Sequence, residues 1–505
     1  MRLIVVTSLL LAATAAAAQD SAPTSASLAA LLREQQQQLE AQRAQLARQQ
    51  EQLERQQRQL ESLAAALEAQ KVGPAPTATA GAAPAPGVPA ASPGATAAVD
   101  ATAGGAASVP PVSTASAAPT AARGLRFEGY ADFNYQRYDF YENAQSATST
   151  PRGQTDLARF VLAPSYDFGK GWSFAAEIEF EHGGTGAAVD YEREEAGEFE
   201  IEVEKGGEVA LEQLWLQYEY SPALAVRFGE LIVPVGMFNL YHQPSEYFGL
   251  QRGLSESSLL PMVWHESGIE MRGTLGQMRY QLMFATALDS SGFSGYGFVS
   301  GGMQQRLELK NASAFALIGH LEYGFAPGIL VGASYYFGDS APNRPRQNLD
   351  VSADVNLAAL YGRYEVGPLT IRGQALFGKI QNAEAITKAN LATFNGDVLG
   401  VSRTPVGSSA RSYYIAAGYD LLSLFKASDA GRLDLFAQYE NYDTNASTEG
   451  SIVRLDRYAR QATTLGLNYK PQPGIVLKAE YARLTNGGTV ANAQNQFGLG
   501  AGFEF

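Results

Sequence analysis

The sequence predicts an all-β protein: a sixteen-stranded antiparallel transmembrane β-barrel, preceded by an N-terminal α-helical coiled coil. Three observations lead there. At the end of the chain, Phe497, Leu499, Ala501, Phe503 and Phe505 alternate with Gln496, Gly498, Gly500, Gly502 and Glu504. A period of two puts one set on each face of a strand, one oily and the other small or polar. Upstream, similar alternating segments are joined by short and long connections in turn. The first residues carry an export signal, and no later run is apolar enough for a helical span.

The export signal comprises Arg2, an apolar stretch from 3 to 13, and Ala16-Ala17-Ala18 before Gln19. Residues 1–18 are therefore expected to be a removed signal peptide. The alternative, an uncleaved anchor helix, would need a longer apolar run. The absence of cysteine excludes disulfides and thiolate metal sites. The net charge is −14. Residues 1–123 hold eight basic and eight acidic residues, so the whole deficit lies in 124–505. An acidic, lysine-poor body argues against nucleic acid as a partner.

Residues 28–70 repeat on a heptad. Leu32, Leu39, Leu46, Leu53, Leu60 and Leu67 recur every seven residues, and Gln35, Gln42, Gln49 and Gln56 follow three places later. A strict heptad winds helices into a left-handed coiled coil, and a Gln seam fixes register more than it adds stability. A solvated Gln-rich helix or an unstructured tract is the plainer reading. Residues 71–123 are almost wholly Ala, Pro, Gly, Ser, Thr and Val, which cannot bury a core. They are expected to form an extended linker.

Residues 124–505 are expected to form the barrel. Short turns are expected at Gly169-Lys170-Gly171, Ser221-Pro222, Gly276-Gln277, Ala326-Pro327-Gly328, Gly367-Pro368 and Pro471-Gln472-Pro473. Between them lie long connections. Short turns on one rim and long loops on the other are the layout of an outer-membrane barrel, periplasm below and exterior above. Faces follow from alternation. Trp172, Phe174, Ala176, Ile178 and Phe180 face lipid, and Glu177, Glu179 and Glu181 face the lumen. Leu433, Leu435, Ala437 and Tyr439 face out, with Asp434, Gln438 and Glu440 inside. Thr463, Leu465, Leu467 and Tyr469 also face out. A soluble β-sandwich would alternate too, but it would leave edges and solvated aromatics unexplained.

A sixteen-stranded wall encloses a water-filled channel rather than a packed core. The segment 237–263 is far longer than a hairpin needs and rich in aromatics and prolines, so it is expected to fold inward as a constriction. It carries His242, Glu246, Arg252 and Glu256. The pore-lining and solute-binding candidates are Arg159, Arg227, Arg252, Arg272, Arg279 and Arg372, because a permanently charged, donor-rich group suits phosphate or carboxylate solutes. Glu128, Glu177, Glu270 and Glu480 could instead pair with arginines and neutralise them. The acidic run 190–208 suggests a hairpin arm in an exterior loop. A solvated face is its plain reading, and divalent-cation binding at the lipopolysaccharide surface the sharper one. For catalysis the chain offers His265 two residues from Ser267, with no G-x-S-x-G elbow. No phosphate loop, metal-ligand cluster or cofactor motif is apparent, and the chain is expected not to be an enzyme.

The strings Arg227-Phe228-Gly229, Pro234-Val235-Gly236, Arg252 and Trp264-His265-Glu266-Ser267-Gly268-Ile269 resemble the third exterior loop of the phosphate-selective porins O and P. The signal peptide, the N-terminal coil and a terminal Phe are also similar to that family. The likeness covers 124–505 in architecture and 227–273 in motif. It implies a homotrimeric channel in the bacterial outer membrane, carrying anions such as phosphate. This chain departs from the family in charge: the barrel region has eight lysines and acidic loops. That balance opposes the collection of anions at the mouth.

The expected function is passive diffusion of small hydrophilic solutes across the outer membrane, with anions such as phosphate among them. Expected partners are outer-membrane lipid and lipopolysaccharide, small solutes, two further copies of the chain, and peptidoglycan beneath the coil. The rival classes are a periplasm-spanning tether to the cell wall and an outer-membrane hydrolase.

Overall fold

The computed structural model describes residues 124–184, 190–192, 200–202, 208–304, 310–393, 404–425 and 430–505. The expected signal peptide, coiled coil and linker lie outside the described residues, as does much of the acidic run.

The strands, in chain order, are β1 (Gly124–Phe140), β2 (Thr150–Gly169), β3 (Trp172–Glu181), β4 (Asp190–Glu192), β5 (Glu200–Glu202), β6 (Glu208–Ser221), β7 (Leu224–Ile232), β8 (His265–Leu275) and β9 (Met278–Thr286). They continue as β10 (Phe315–Ala326), β11 (Ile329–Asp339), β12 (Asp354–Val366), β13 (Leu369–Ile380), β14 (Ser409–Asp420), β15 (Arg432–Ser447), β16 (Ala459–Lys470), β17 (Ile475–Asn486) and β18 (Ala493–Glu504). Sixteen of them close into one antiparallel barrel in sequence order, with β18 pairing β1 from Tyr130↔Glu504 to Tyr138↔Gln496. Closure leaves no free sheet edge, which is what a wall in lipid requires. β4 and β5 form a separate two-stranded ribbon, the hairpin arm expected in that loop.

The turn rhythm read from the sequence is the one observed. Gly171, Gly276, Gly328, Gly367 and Gly474 take positive φ at the tight rim. A longer connection on that rim follows β14 and contains a short 3₁₀ turn, Leu421–Phe425. The outer face is apolar as expected: Phe228, Ile269, Leu317, Leu435, Leu465, Leu499 and Phe503 are exposed on it. Ala176, expected on the lipid face, is buried beside Ala175.

Alternation breaks at one instructive place. In β6 the polar pair Glu212-Gln213 is buried, while Leu211 and Leu214 on either side are exposed. A strict period of two cannot point both polar residues inward. The pairing with β3 skips from Glu177↔Gln213 to Ile178↔Leu211, leaving Glu212 as the extra residue of a β-bulge. The bulge delivers both to the lumen and restores the oily face above and below.

The main apolar core lies within the barrel toward the long-loop rim. Trp264, Phe293, Phe298, Val299, Tyr336, Leu357, Ile386 and Tyr442 belong to one buried cluster. Two loops and helix α2 (Ala383–Ala392) supply much of it.

Candidate functional site

The segment between β7 and β8 enters the lumen, as its length and composition predicted. It leaves β7 through Pro234 and turns at Gly236, where φ is +89°. The short helix α1 (Leu254–Ser257) presents Glu256 back to that turn. The backbone N–H groups of Met237 and Phe238 donate to Glu256 Oε2 at 2.9 and 3.0 Å, and that of Asn239 donates to Oε1 at 2.7 Å. Gln374 on β13 adds a side-chain donor at 2.6 Å. One buried carboxylate therefore fixes the loop to itself and to the wall.

The loop is tied to the wall around most of the circumference. Tyr241 donates its hydroxyl to Glu322 on β10 at 2.6 Å. Glu246 pairs with Arg363 on β12 at 2.6 Å. The backbone N–H of Ser255 donates to Glu440 on β15 at 2.7 Å. The backbone N–H of Leu250 donates to Glu480 on β17 at 2.9 Å. Lys470 and Lys478 donate to the carbonyls of Ser245 and Gly249 at 2.9 and 2.7 Å. Phe248 stacks on Phe436 with ring centroids 5.0 Å apart.

A second loop, 287–304, also reaches inward, which the sequence reading missed. The backbone N–H of Val299 donates to the Leu259 carbonyl of the first loop at 3.3 Å. Phe293 and Phe298 are wholly buried. Asn390 of α2 donates its amide to the carbonyls of Ser290, Ser291 and Phe293 at 3.3–3.4 Å. The available signal was the string Phe293-Ser294-Gly295-Tyr296-Gly297-Phe298-Val299, too apolar for a solvated loop and too short for a strand pair.

The six candidate arginines fall into three situations. Arg159, Arg279 and Arg372 are neutralised by carboxylates. Arg159 pairs with Asp132 at 3.2 Å and also donates to Tyr247 and the His242 carbonyl at 3.0 and 3.1 Å. Arg279 pairs with Glu322 at 2.6 Å, and Arg372 pairs with Glu365 at 2.9 Å. Arg227 and Arg272 are held by other contacts. Arg227 donates to Gln217 at 2.6 Å and lies over the Trp215 ring at 3.8 Å, while Arg272 sits 3.7 Å from Glu270. Arg252 is half-buried and makes no hydrogen bond or ion pair among the described residues. Of the expected acidic partners, only Glu270 pairs with a candidate arginine among the described residues. Glu177 accepts from Tyr130, and Glu480 holds the loop backbone. Arg363, absent from the candidates, is just as firmly engaged: it pairs with Glu246 and Glu365 and lies over Tyr241 at 4.0 Å.

Cavities among the described residues line the lumen. One of about 470 Å³ is bounded by the short turn at Pro473 and Gly474 and by Tyr130, Glu177, Gln213, Ser245 and Glu504. Another of about 680 Å³ opens at the long-loop rim between β1, β2 and β15–β18, with Tyr138, Tyr296, Arg152 and Arg460 in its lining. Asp132 and Asn134 of β1 occupy the strand between the two sets of lining residues. There Arg159 and Tyr247 meet Asp132.

The Ser267–His265 pair has the wrong geometry for hydrolysis. Ser267 donates its hydroxyl to Glu230 Oε2 at 2.6 Å, and His265 Nδ1 lies 2.5 Å from Glu230 Oε1. Both bind one carboxylate, with no bond between nucleophile and base. Lys310 closes the same cluster.

Comparison with known proteins then places the chain. Residues 94–505 match the model of the Gram-negative porin family. The chain belongs to that family. As a Gram-negative porin with a closed sixteen-stranded barrel, it resides in the bacterial outer membrane and forms a channel for solute diffusion. The porin is 26% identical over 366 residues to an uncharacterized protein of Aquifex aeolicus strain VF5, covering 72% of this chain and 76% of that one. Among solved structures it aligns with the anion-selective porin of Comamonas acidovorans at 15% identity, covering 76% of this porin and 100% of that chain, with a TM-score of 0.44. It also aligns with the outer-membrane channel DcaP of Acinetobacter baumannii at 13% identity, covering 77% and 99%, with a TM-score of 0.47. Family and fold describe a channel rather than an enzyme.

Proposed function

We propose that this porin is a weakly selective, passive pore for small hydrophilic solutes, narrowed by the loop 237–263. It is not a dedicated phosphate channel. The observation that carries this reading is the pairing of the arginines. Arg159, Arg279, Arg363 and Arg372 each face a carboxylate within 3.2 Å. A guanidinium paired inside the wall offers little net field to a passing anion. The net charge of −14 acts in the same direction.

A second reading, anion conduction of the phosphate-selective type suggested by the loop motifs, is favoured by Arg252. It is the candidate guanidinium with no hydrogen bond or close ion pair among the described residues, although the Glu212 carboxyl and Tyr247 feel its charge, and it lies in the loop that narrows the pore. Both readings place three copies together as a homotrimer. The heptads of 28–70 would form a three-stranded coil in the periplasm, near peptidoglycan, on the 71–123 linker. Barrels already held together raise the effective concentration of the helices, which offsets a Gln seam.

Liposome swelling tests the reading. Vesicles carrying the purified protein should swell in neutral sugars at rates that fall steeply from a pentose to a disaccharide. Swelling absent for every solute would favour the tether over the pore. Swelling confined to phosphate salts would favour the anion channel.

A further inference from the structure

The cavity at the long-loop rim has a chemistry that an unselective mouth does not require. It measures about 680 Å³, and its lining combines the aromatic rings of Tyr138, Tyr296 and Tyr442 with the guanidinium groups of Arg152, Arg457 and Arg460. Arg460 lies between two of those rings, 4.3 Å from the Tyr296 centroid and 4.8 Å from that of Tyr442. It also donates to the Tyr296 carbonyl and to Thr444 Oγ1. Its Nε donor is buried and has no partner among the described residues. Gln461 and Gln494 add amides to the same wall, while the Asn486 amide there is engaged by the backbone of Ala491 and Gly488.

From this arrangement we propose a capture subsite for acidic monosaccharides, of which a hexuronate is the type. It rests on the channel reading above. Each part of the lining answers a part of such a ligand. Aromatic faces pack against the C–H faces of a pyranose ring. Side-chain amides bond hydroxyls in either direction. Planar guanidinium groups bind a carboxylate through paired donors. The acids in the lining are Asp139 and Glu142. Asp139 is occupied, accepting from the Asn495 backbone and side-chain amides at 3.0 and 2.9 Å. The lining carries three guanidinium groups and two carboxylates, a formal excess of one positive charge within an otherwise acidic protein. The volume is several times what a bare tetrahedral oxyanion needs, and aromatic walls give nothing to such an ion. That argues against inorganic phosphate as the occupant. The cationic balance argues against neutral sugars.

The test uses the full-length protein in planar bilayers, with glucuronate, glucose or inorganic phosphate added to the exterior side of a chloride-conducting channel. Glucuronate is expected to interrupt the current at a concentration about tenfold lower than either of the others, which corresponds to one ion pair of about 1.4 kcal/mol. Arg460→Gln should abolish that difference, and so should Tyr296→Ala, which changes an exposed loop residue and leaves every strand untouched. Equal effects of glucuronate and glucose would overturn the proposal. So would equal effects of glucuronate and phosphate, or a glucuronate effect that survives both substitutions. A protein that carries no current would instead remove the channel reading beneath it.

Discussion

Gly236 and Glu256 are made for one another: a Cβ at Gly236 would stand 2.5 Å from the Glu256 carboxyl carbon, and Gly236 has a φ of +89°. Only glycine adopts that backbone at little cost and leaves the space the carboxylate occupies. With Gly236 in that conformation, the next three backbone N–H groups turn toward Glu256. The Pro-x-Gly string at the end of β7 thus has a physical meaning. It reverses the chain into the barrel and builds the anion nest that holds it there.

Replacing either member should open the pore. Gly236→Ala strains the turn and displaces the carboxylate. Glu256→Ala leaves the buried N–H groups of Phe238 and Asn239 without an acceptor, while that of Met237 keeps Gln374 Oε1, at a cost of about 1–3 kcal/mol for each lost before relaxation. Both variants should retain the barrel, read as heat-dependent migration on gels, and show higher, noisier single-channel conductance. Unchanged conductance would mean that the loop does not set the width.

Arg252 and Arg279 should separate selectivity from stability. Arg252→Gln removes a charge that makes no hydrogen bond or close ion pair among the described residues, so the reversal potential across a salt gradient should move toward cations while melting changes little. Arg279→Gln leaves Glu322 without its ion-pair partner 2.6 Å away, and should cost about 1–3 kcal/mol in unfolding experiments.

The lipid face should reject charge. Leu465, near the middle of β16, is exposed on that face. Leu465→Arg should destabilise the barrel in bilayers by about 2–4 kcal/mol, well beyond Leu465→Ala, as measured by reversible urea unfolding.

The second inward loop should respond to pH. Burial pushes the Asp289 carboxyl up to about 6, against the hydrogen bonds from Ser291. The folded protein then binds a proton more readily than the unfolded chain. The stabilising contribution is present below pH 4 and is lost as pH rises from about 4 to 6, a span of about 3 kcal/mol. Asp289→Asn should therefore stabilise the protein at pH 7.5 and do nothing at pH 4, in thermal unfolding followed at both values.

Much of the fold was legible because lipid outside and water inside impose a period of two on every strand. The turn glycines and prolines marked the rims, and the exposed Leu435, Leu465 and Phe503 confirm the facing. Illegible features were those set by partners distant in sequence. The β6 bulge depends on β3, although the adjacent Glu212-Gln213 pair was its visible trace. The lumen-facing arginines could be listed from alternation. Their neutralisation was an open alternative, but its partners were not legible, because Glu322, Glu365 and Asp132 approach them through strand register. The small residues of β18 were read only as an inner face. Gly502 in fact makes room for the inward loop, since a Cβ there would lie 2.5 Å from Pro244 Cβ. The 287–304 loop has no periodicity at all, only an excess of buried aromatics that makes sense once the lumen exists around it.

The decisive measurement is phosphate titrated into chloride across single channels of the purified protein in planar bilayers. With its arginines paired to Asp132, Glu322 and Glu365, the channel should conduct chloride and potassium with little preference and show no block as phosphate is added. Block of the chloride current at micromolar phosphate would contradict the weakly selective pore and establish a dedicated anion site in the constriction.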